Sequence, residues 1–145
     1  MSAEQNKAIV RRFLEAVDTG DIAILDEFVA PNYNDHNPPP YPGLAPGLEG
    51  AKQAFALSLA AFSDFHHTIH DQIAAGDKVV TRITAYGTHT GELIGIPPTG
   101  KQVTMTGIAI HRIANGKLVE HWAQIDAFGL LQQLGAIPVP DQPGA

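Results

Sequence analysis

The stretch 107–126, GIAIHRIANGKLVEHWAQID, constrains the fold more than any other part of the chain. Two runs of alternating residues flank Asn115-Gly116. Asn-Gly favours the type I′ turn, whose twist matches that of antiparallel strands. A two-residue loop then fixes the register. Ile113 faces Leu118, His111 faces Glu120, Ala109 faces Trp122, Gly107 faces Gln124 and Met105 faces Asp126. Side chains alternate across a sheet. One face is therefore expected to carry Met105, Gly107, Ala109, His111, Ile113, Leu118, Glu120, Trp122, Gln124 and Asp126. The other is expected to carry Ile108, Ile110, Arg112, Val119, His121, Ala123 and Ile125. The first set mixes very small residues, a large aromatic and ionisable groups. That is the composition of a pocket wall, whereas a plain core face would be filled with Val, Leu and Ile.

The rest of the chain supplies the elements that such a hairpin needs. Residues 3–19 read as an amphipathic helix, with Ile9, Val10, Phe13, Leu14 and Val17 at helical spacing, Ser2 as its cap and Gly20 as its end. Asp21 caps a short second helix whose Ile22, Leu25, Phe28 and Val29 point inward, and Pro31 stops it. Residues 31–48 are rich in proline and read as a loop too long to be a mere connector. A third helix spans about 49–61. Strands follow: a hairpin turning near Gly76-Asp77, the connection GELIGIPPTG, and the hairpin described above. Residues 126–135 read as a last short helix, and the tail 137–145 as irregular. Helices followed by antiparallel strands give an α+β order in one domain, 1–145.

Composition narrows the function classes. There is no cysteine, so thiolate chemistry and cysteine-type metal sites are excluded. Net charge is −6 with no Lys/Arg cluster, which argues against nucleic acid and anionic membrane as partners. Neither a signal-like N-terminus nor a long apolar run is present, so a cytoplasmic location is the expectation. His66, His67, His70 and His89 are not set in a HExxH helix, and no metal is expected. Serine-hydrolase and nucleotide-binding motifs are lacking as well. The isoleucine-rich second face of the hairpin is too apolar to leave in water. A homodimer packed sheet to sheet is expected to cover it.

Three segments, YNDHNPP at 33–39, the run at 76–101 ending in GTHTGELIGIPPTGK, and 107–135 with EHW…D…GLLQQLG, together resemble the SnoaL-like polyketide cyclases of the nuclear-transport-factor-2-like superfamily. The resemblance implies a cone-shaped barrel: a strongly curved antiparallel sheet with N-terminal helices closing one side. It also implies a dimer. The activity implied is an intramolecular aldol-type ring closure of a hydrophobic carbonyl substrate, with neither metal nor organic cofactor. Asp126 matches the family's acid/base aspartate, and His111 matches an associated histidine.

An aldol closure needs a base for an acidic C–H and an acid for the carbonyl oxygen, and one carboxyl group can serve both steps. Asp126 is the expected catalyst, although an aspartate opening a helix is also a good cap. His111, opposite Glu120, is the expected assistant. Trp122, Tyr86, Tyr33 and Gln124 are expected to shape the substrate pocket, with His36 at its mouth. His121 is expected on the opposite face, although a one-residue slip would exchange the two histidines. Asp71 and Arg82 should oppose each other as a cross-strand pair. The competing readings are a hydrolase or other lyase on the same scaffold, and a non-catalytic small-molecule binder.

Overall fold

The computed structural model describes residues 2–138. The expected irregular tail falls mostly on residues 139–145, outside the described part. Helix α1 (Ala3–Asp18) forms where the amphipathic pattern places it. Ser2 and Gln5 make a reciprocal capping box: the Gln5 N–H donates to Ser2 Oγ at 3.1 Å, and the Ser2 N–H donates to Gln5 Oε1 at 2.8 Å. Two helix-end donors that would otherwise lack partners are thus satisfied. The predicted apolar stripe of α1 is buried. Asp21 caps a 3-10 turn (Ile22–Ile24) that runs into α2 (Leu25–Phe28), whose Leu25 is fully enclosed.

The chain then departs from expectation. Pro31 does not open a loop; it lies within strand β1 (Val29–Asp35). This strand sits at one edge of the sheet and runs parallel to β5. An edge strand tolerates proline, because the missing N–H need not bond to a neighbour. The proline-rich loop therefore shrinks to 36–46. Then come α3 (Gly47–Ala61), β2 (Phe62–Ala75), β3 (Lys78–His89), β4 (Gln102–Ala114), β5 (Lys117–Ile125) and α4 (Ala127–Gln133). The sheet order is β1-β5-β4-β3-β2, antiparallel apart from its β1 edge. The fold is α+β, a curved mixed sheet with its helices on one side.

Both predicted turns are present. Ala75 pairs with Lys78, and Asp71 opposes Arg82 as the two-residue loop requires, without a salt bridge joining them. Asn115 and Gly116 adopt φ +52° and +75°, the left-handed pair that a type I′ turn needs.

The register beyond that second turn is the main correction. Ile113 faces Leu118, but Arg112 faces Glu120, so Val119 is bulged out. Every later residue of β5 is displaced by one: His111 faces His121, Ile110 faces Trp122, Ala109 faces Ala123, Ile108 faces Gln124 and Gly107 faces Ile125. A bulge of this kind places two residues opposite one and reverses the alternation. The physical reason lies in charge. The unbroken register would turn Glu120 inward beside Phe13, where an unpaired carboxylate is costly. The bulge keeps Leu118 wholly buried and sends Glu120 outward to Arg112.

The concave face is packed against the helices in two apolar clusters. One joins Phe13, Val17, Leu25, Val29 and Tyr33 to Val79, Ile113 and Leu118. The other joins Phe62, Leu93 and Val103 to Leu130 and Leu134. Between them the sheet offers small residues. Ala109 opposes Ala123, and Gly107 lies next along β4. A Cβ at Gly107 would meet the Ile125 side chain at 2.9 Å and the Gln124 carbonyl at 3.1 Å, so glycine here permits close strand approach.

Candidate active site

Two histidines meet on the concave face between the clusters. His111 on β4 and His121 on β5 lie with ring centroids 4.7 Å apart. The edge of Phe13 packs against His111 at 5.8 Å, and Tyr33 stacks over His121 at 6.4 Å. His111 is only 3% exposed, and its Nδ1 is buried with no hydrogen-bond partner. Burial, reinforced by the neighbouring His121, drives the His111 pKa well below the ordinary histidine value. His111 is therefore a neutral imidazole near neutral pH. An unanswered buried polar atom costs about 1–3 kcal/mol, which a purely structural residue would not retain without cause.

His121 is tied to β1. Its Nδ1 lies 2.9 Å from Asp35 Oδ1, both side chains being partly buried. Tyr33 is buried, and its pKa is raised well above 10.0 by burial and then by the Asp35 charge, so its hydroxyl keeps its proton. The set is thus a carboxylate, two imidazoles and a neutral phenol on three adjacent strands. Sequence reading placed His111 on the inward face and named Tyr33 as a pocket residue of a loop, but missed Asp35 and turned His121 away. The signal available was Glu120: a carboxylate two residues after Leu118 is costly to turn into the core on the same face.

The other expected pocket residues lie elsewhere. Trp122, Gln124 and Tyr86 are on the convex face, carried there by the bulge and by the alternation of β3. Tyr86 stacks on His66 at 4.9 Å. His36 stacks flat on Trp122 at 4.6 Å, and its Nε2 lies 2.8 Å from Glu120 Oε2. Glu120 also accepts from Arg112 Nε. The His36 hydrogen bond, then that of Arg112, lowers the Glu120 pKa. His111 does not face Glu120 as expected, and His36 joins this convex cluster.

Asp126 is the N-cap of α4: its Oδ1 accepts the Gly129 N–H at 2.9 Å. Its backbone N–H donates to the Thr106 carbonyl. Four residues of β5 separate it from His121, five steps or about 16 Å along an extended strand. Asp126 does line a groove of about 400 Å3, with His70, Arg82, Thr84 and Gln124 from the convex face and Ile83, Gly107 and Ile125 from the concave one. A second open groove, about 620 Å3, lies by the β1 edge against Asn32, Asn34, Arg112 and Lys117. Neither groove reaches the histidine pair. Farther along the same face Ala123 and Gly107 are partly exposed and Ile125 is 47% exposed, toward the groove at Asp126. Among the described residues no cluster of three or more His, Asp or Glu side chains is arranged to hold a metal ion.

Comparison with known proteins fixes the lineage. The profile of the SnoaL-like polyketide cyclase family matches residues 7–134. The chain belongs to that family. It is 34% identical over 139 residues to the aklanonic acid methyl ester cyclase DauD of Streptomyces sp. (strain C5), covering 88% of this chain and 80% of that one. It is 32% identical over 136 residues to the nogalonic acid methyl ester cyclase of Streptomyces nogalater, covering 90% and 97%. The structure of TsrD from Streptomyces laurentii superposes with a TM-score of 0.84 at 31% identity, covering 94% of this chain and 99% of that one. The family and these relatives make the chain a cyclase-type enzyme. No helix among the described residues is long and apolar enough to cross a membrane.

Proposed function

We propose that the chain closes a ring on a hydrophobic, carbonyl-rich small molecule by an aldol-type reaction without a cofactor, and that the His111–His121 pair handles the proton. One observation carries this reading: two imidazoles in contact on the concave face, one held neutral by burial and the other tied to a carboxylate. In the step, His121 takes a proton from the carbon between carbonyl groups. The carbanion attacks a second carbonyl carbon, forming the C–C bond and breaking the C=O π bond. His111 hydrogen-bonds the oxygen as charge develops there, and His121 returns its proton to that oxygen. A neutral histidine polarising a carbonyl beside a separate base has precedent in isomerase chemistry.

The names of the methyl ester cyclases among the relatives support a polyketide-derived ester as substrate. The test is incubation with aklanonic and nogalonic acid methyl esters. Ring closure should appear as a changed spectrum with unchanged mass, and His121→Gln should lose it. Turnover by His121→Gln at the wild-type rate sinks the assignment. A hydrolysed product would favour the hydrolase, and tight binding without conversion the binding protein.

A second reading places the acid/base at Asp126, favoured by its position in the 400 Å3 groove with His70, Arg82, Gly107 and Ile125. Asparagine caps a helix as well as aspartate does. Asp126→Asn therefore removes the charge alone, and only this second reading expects it to lose turnover. A second copy of the chain is the proposed cover for the convex face, where Ile73 and Ile108 are 61% and 50% exposed. Sedimentation should report a dimer that Ile108→Glu dissociates; a monomeric wild type removes the idea.

A further inference from the structure

We infer that Arg82 is a ligand-binding residue: in the groove that Asp126 lines, it holds the acidic enol or phenol oxygen of a polycyclic small molecule and so turns the opposite end of that molecule toward Asp126. The catalytic sense of this orientation rests on the second reading above, with Asp126 as the acid/base. The binding itself does not.

The sheet fixes where the polar groups of the groove stand. Arg82, Ile108 and Gln124 pair in one row across β3, β4 and β5. Thr84 and Thr106 pair in the next row, and the Asp126 N–H donates to the Thr106 carbonyl at 2.9 Å, so Asp126 closes that row. Neighbouring strands lie about 4.8 Å apart, which sets Asp126 about 10 Å from the strand that carries Arg82. A fused polycyclic ligand bridges such a span. Ile108 lies between the two charges and is half exposed. Phe128, just beyond Asp126, is 60% exposed, so apolar surface accompanies the polar groups.

Charge then gives the groove a direction. Arg82 is exposed, and among the described residues its guanidinium has no side-chain partner; Asp71 opposes it across β2 without bridging to it. Arg112, by contrast, is paired with both Asp77 and Glu120. Beside Arg82, His70 Nε2 lies 2.7 Å from Oγ1 of the buried Thr84, so that nitrogen is already engaged. Arg82 is left as the free cation of the groove. A guanidinium stays charged at every working pH and presents a planar fork of donors to an oxygen anion. The Asp126 carboxylate repels the same anion. A ligand with one ionised oxygen is thus bound one way round, with that oxygen on β3 and its other end at Asp126. The alternative is a solvated surface arginine, which would discriminate between no ligands.

The test uses a hydroxyanthraquinone and its O-methyl ether, two probes that differ in one ionisable oxygen. Each is bound to the whole protein by equilibrium dialysis, at a pH where the phenol is ionised. We expect the wild type to bind the phenolate about 10–100-fold more tightly than the ether, the usual contribution of a hydrogen bond to a charged group. Arg82→Gln should abolish that preference and Arg82→Lys should keep part of it. Asp126→Asn should not weaken phenolate binding. The Arg82 side chain is exposed, so its variants keep the fold. Equal affinities of the wild type for the two probes overturn the inference, and so does a preference that survives Arg82→Gln. A second copy of the chain that packs on Ile108, seals the groove and leaves neither probe bound overturns it as well. Turnover of aklanonic acid methyl ester addresses the reading beneath. If Asp126→Asn keeps wild-type turnover while the preference still depends on Arg82, the Asp126 reading fails and the binding site stands.

Discussion

Two histidine–carboxylate pairs join β5 to the end of β1 and the first loop residue after it, one residue apart and on opposite faces. Asp35 with His121 faces the helices; His36 with Glu120 faces outward. Their distances are nearly equal, 2.9 and 2.8 Å. Their surroundings differ. The inner pair adjoins a buried neutral histidine and a buried tyrosine, where low dielectric strengthens every interaction. The outer pair shares its carboxylate with Arg112 and lies against Trp122, with the Lys78 ammonium 5.5 Å from the indole centroid. Water screens such a pair, and exposed ion pairs are worth little. Identical chemistry thus becomes a candidate reaction centre on one face and a surface lattice on the other.

The most damaging test of this contrast is catalytic. His121→Gln should reduce turnover of the methyl ester by about 10²–10⁴-fold, the usual contribution of a general base. His36→Gln should change it less than a few-fold. Equal losses in steady-state rate would erase the distinction between the faces.

Packing gives the next largest effect. Leu118, the last residue before the bulge, is fully enclosed, whereas Trp122 on the convex face is only partly covered. Leu118→Ala should cost about 2–5 kcal/mol in urea unfolding, the range for emptying a core leucine site. A loss under 1 kcal/mol would mean that Leu118 is not enclosed in the core.

The faces should also separate by pH. The folded-state pKa of His111 is lowered from 6.5, so its neutral form is favoured by folding. Its stabilising contribution is complete above pH 6.5 and is lost as pH falls below that value toward the folded pKa. Glu120 is depressed from 4.5, so its contribution is complete above 4.5 and is lost only as pH falls further. Unfolding midpoints followed from pH 8 to 4 should therefore fall first in the His111 window. His111→Leu should flatten that part of the curve and leave the acid limb. An unchanged slope in the variant would contradict the burial argument.

The smallest effect concerns Asp126. Asp126→Ala should lower stability by about 0.5–2 kcal/mol through loss of the cap. Asp126→Asn should leave both stability and turnover near wild type, as judged by melting and rate assays. Loss of turnover in Asp126→Asn alone would move the chemistry to the groove that Asp126 lines.

Much of the fold was legible because it rests on local rules. The capping box at Ser2 and Gln5, the stripe of α1 and the two-residue turns at Gly76-Asp77 and Asn115-Gly116 each depend on neighbours in sequence. Strand β1 was not legible, because its proline and asparagines imitate a loop and its ladder partner lies about ninety residues away. Of the candidate site, only His111 could be placed from alternation, because Tyr33 lies on the strand that read as a loop. Asp35 could not, since nothing local links it to His121.

The sequence by itself therefore determined the helices and strands other than β1, where the hairpins turn, and the family to which the chain belongs. The tertiary structure decided which side of β5 faces inward. A strand's alternation fixes only relative facing, and one bulged residue inverts it. That choice was made by burial: Leu118 had to enter the core, and Glu120 had to leave it for Arg112 and His36. The same inversion took Trp122 outward and brought His121 to Asp35.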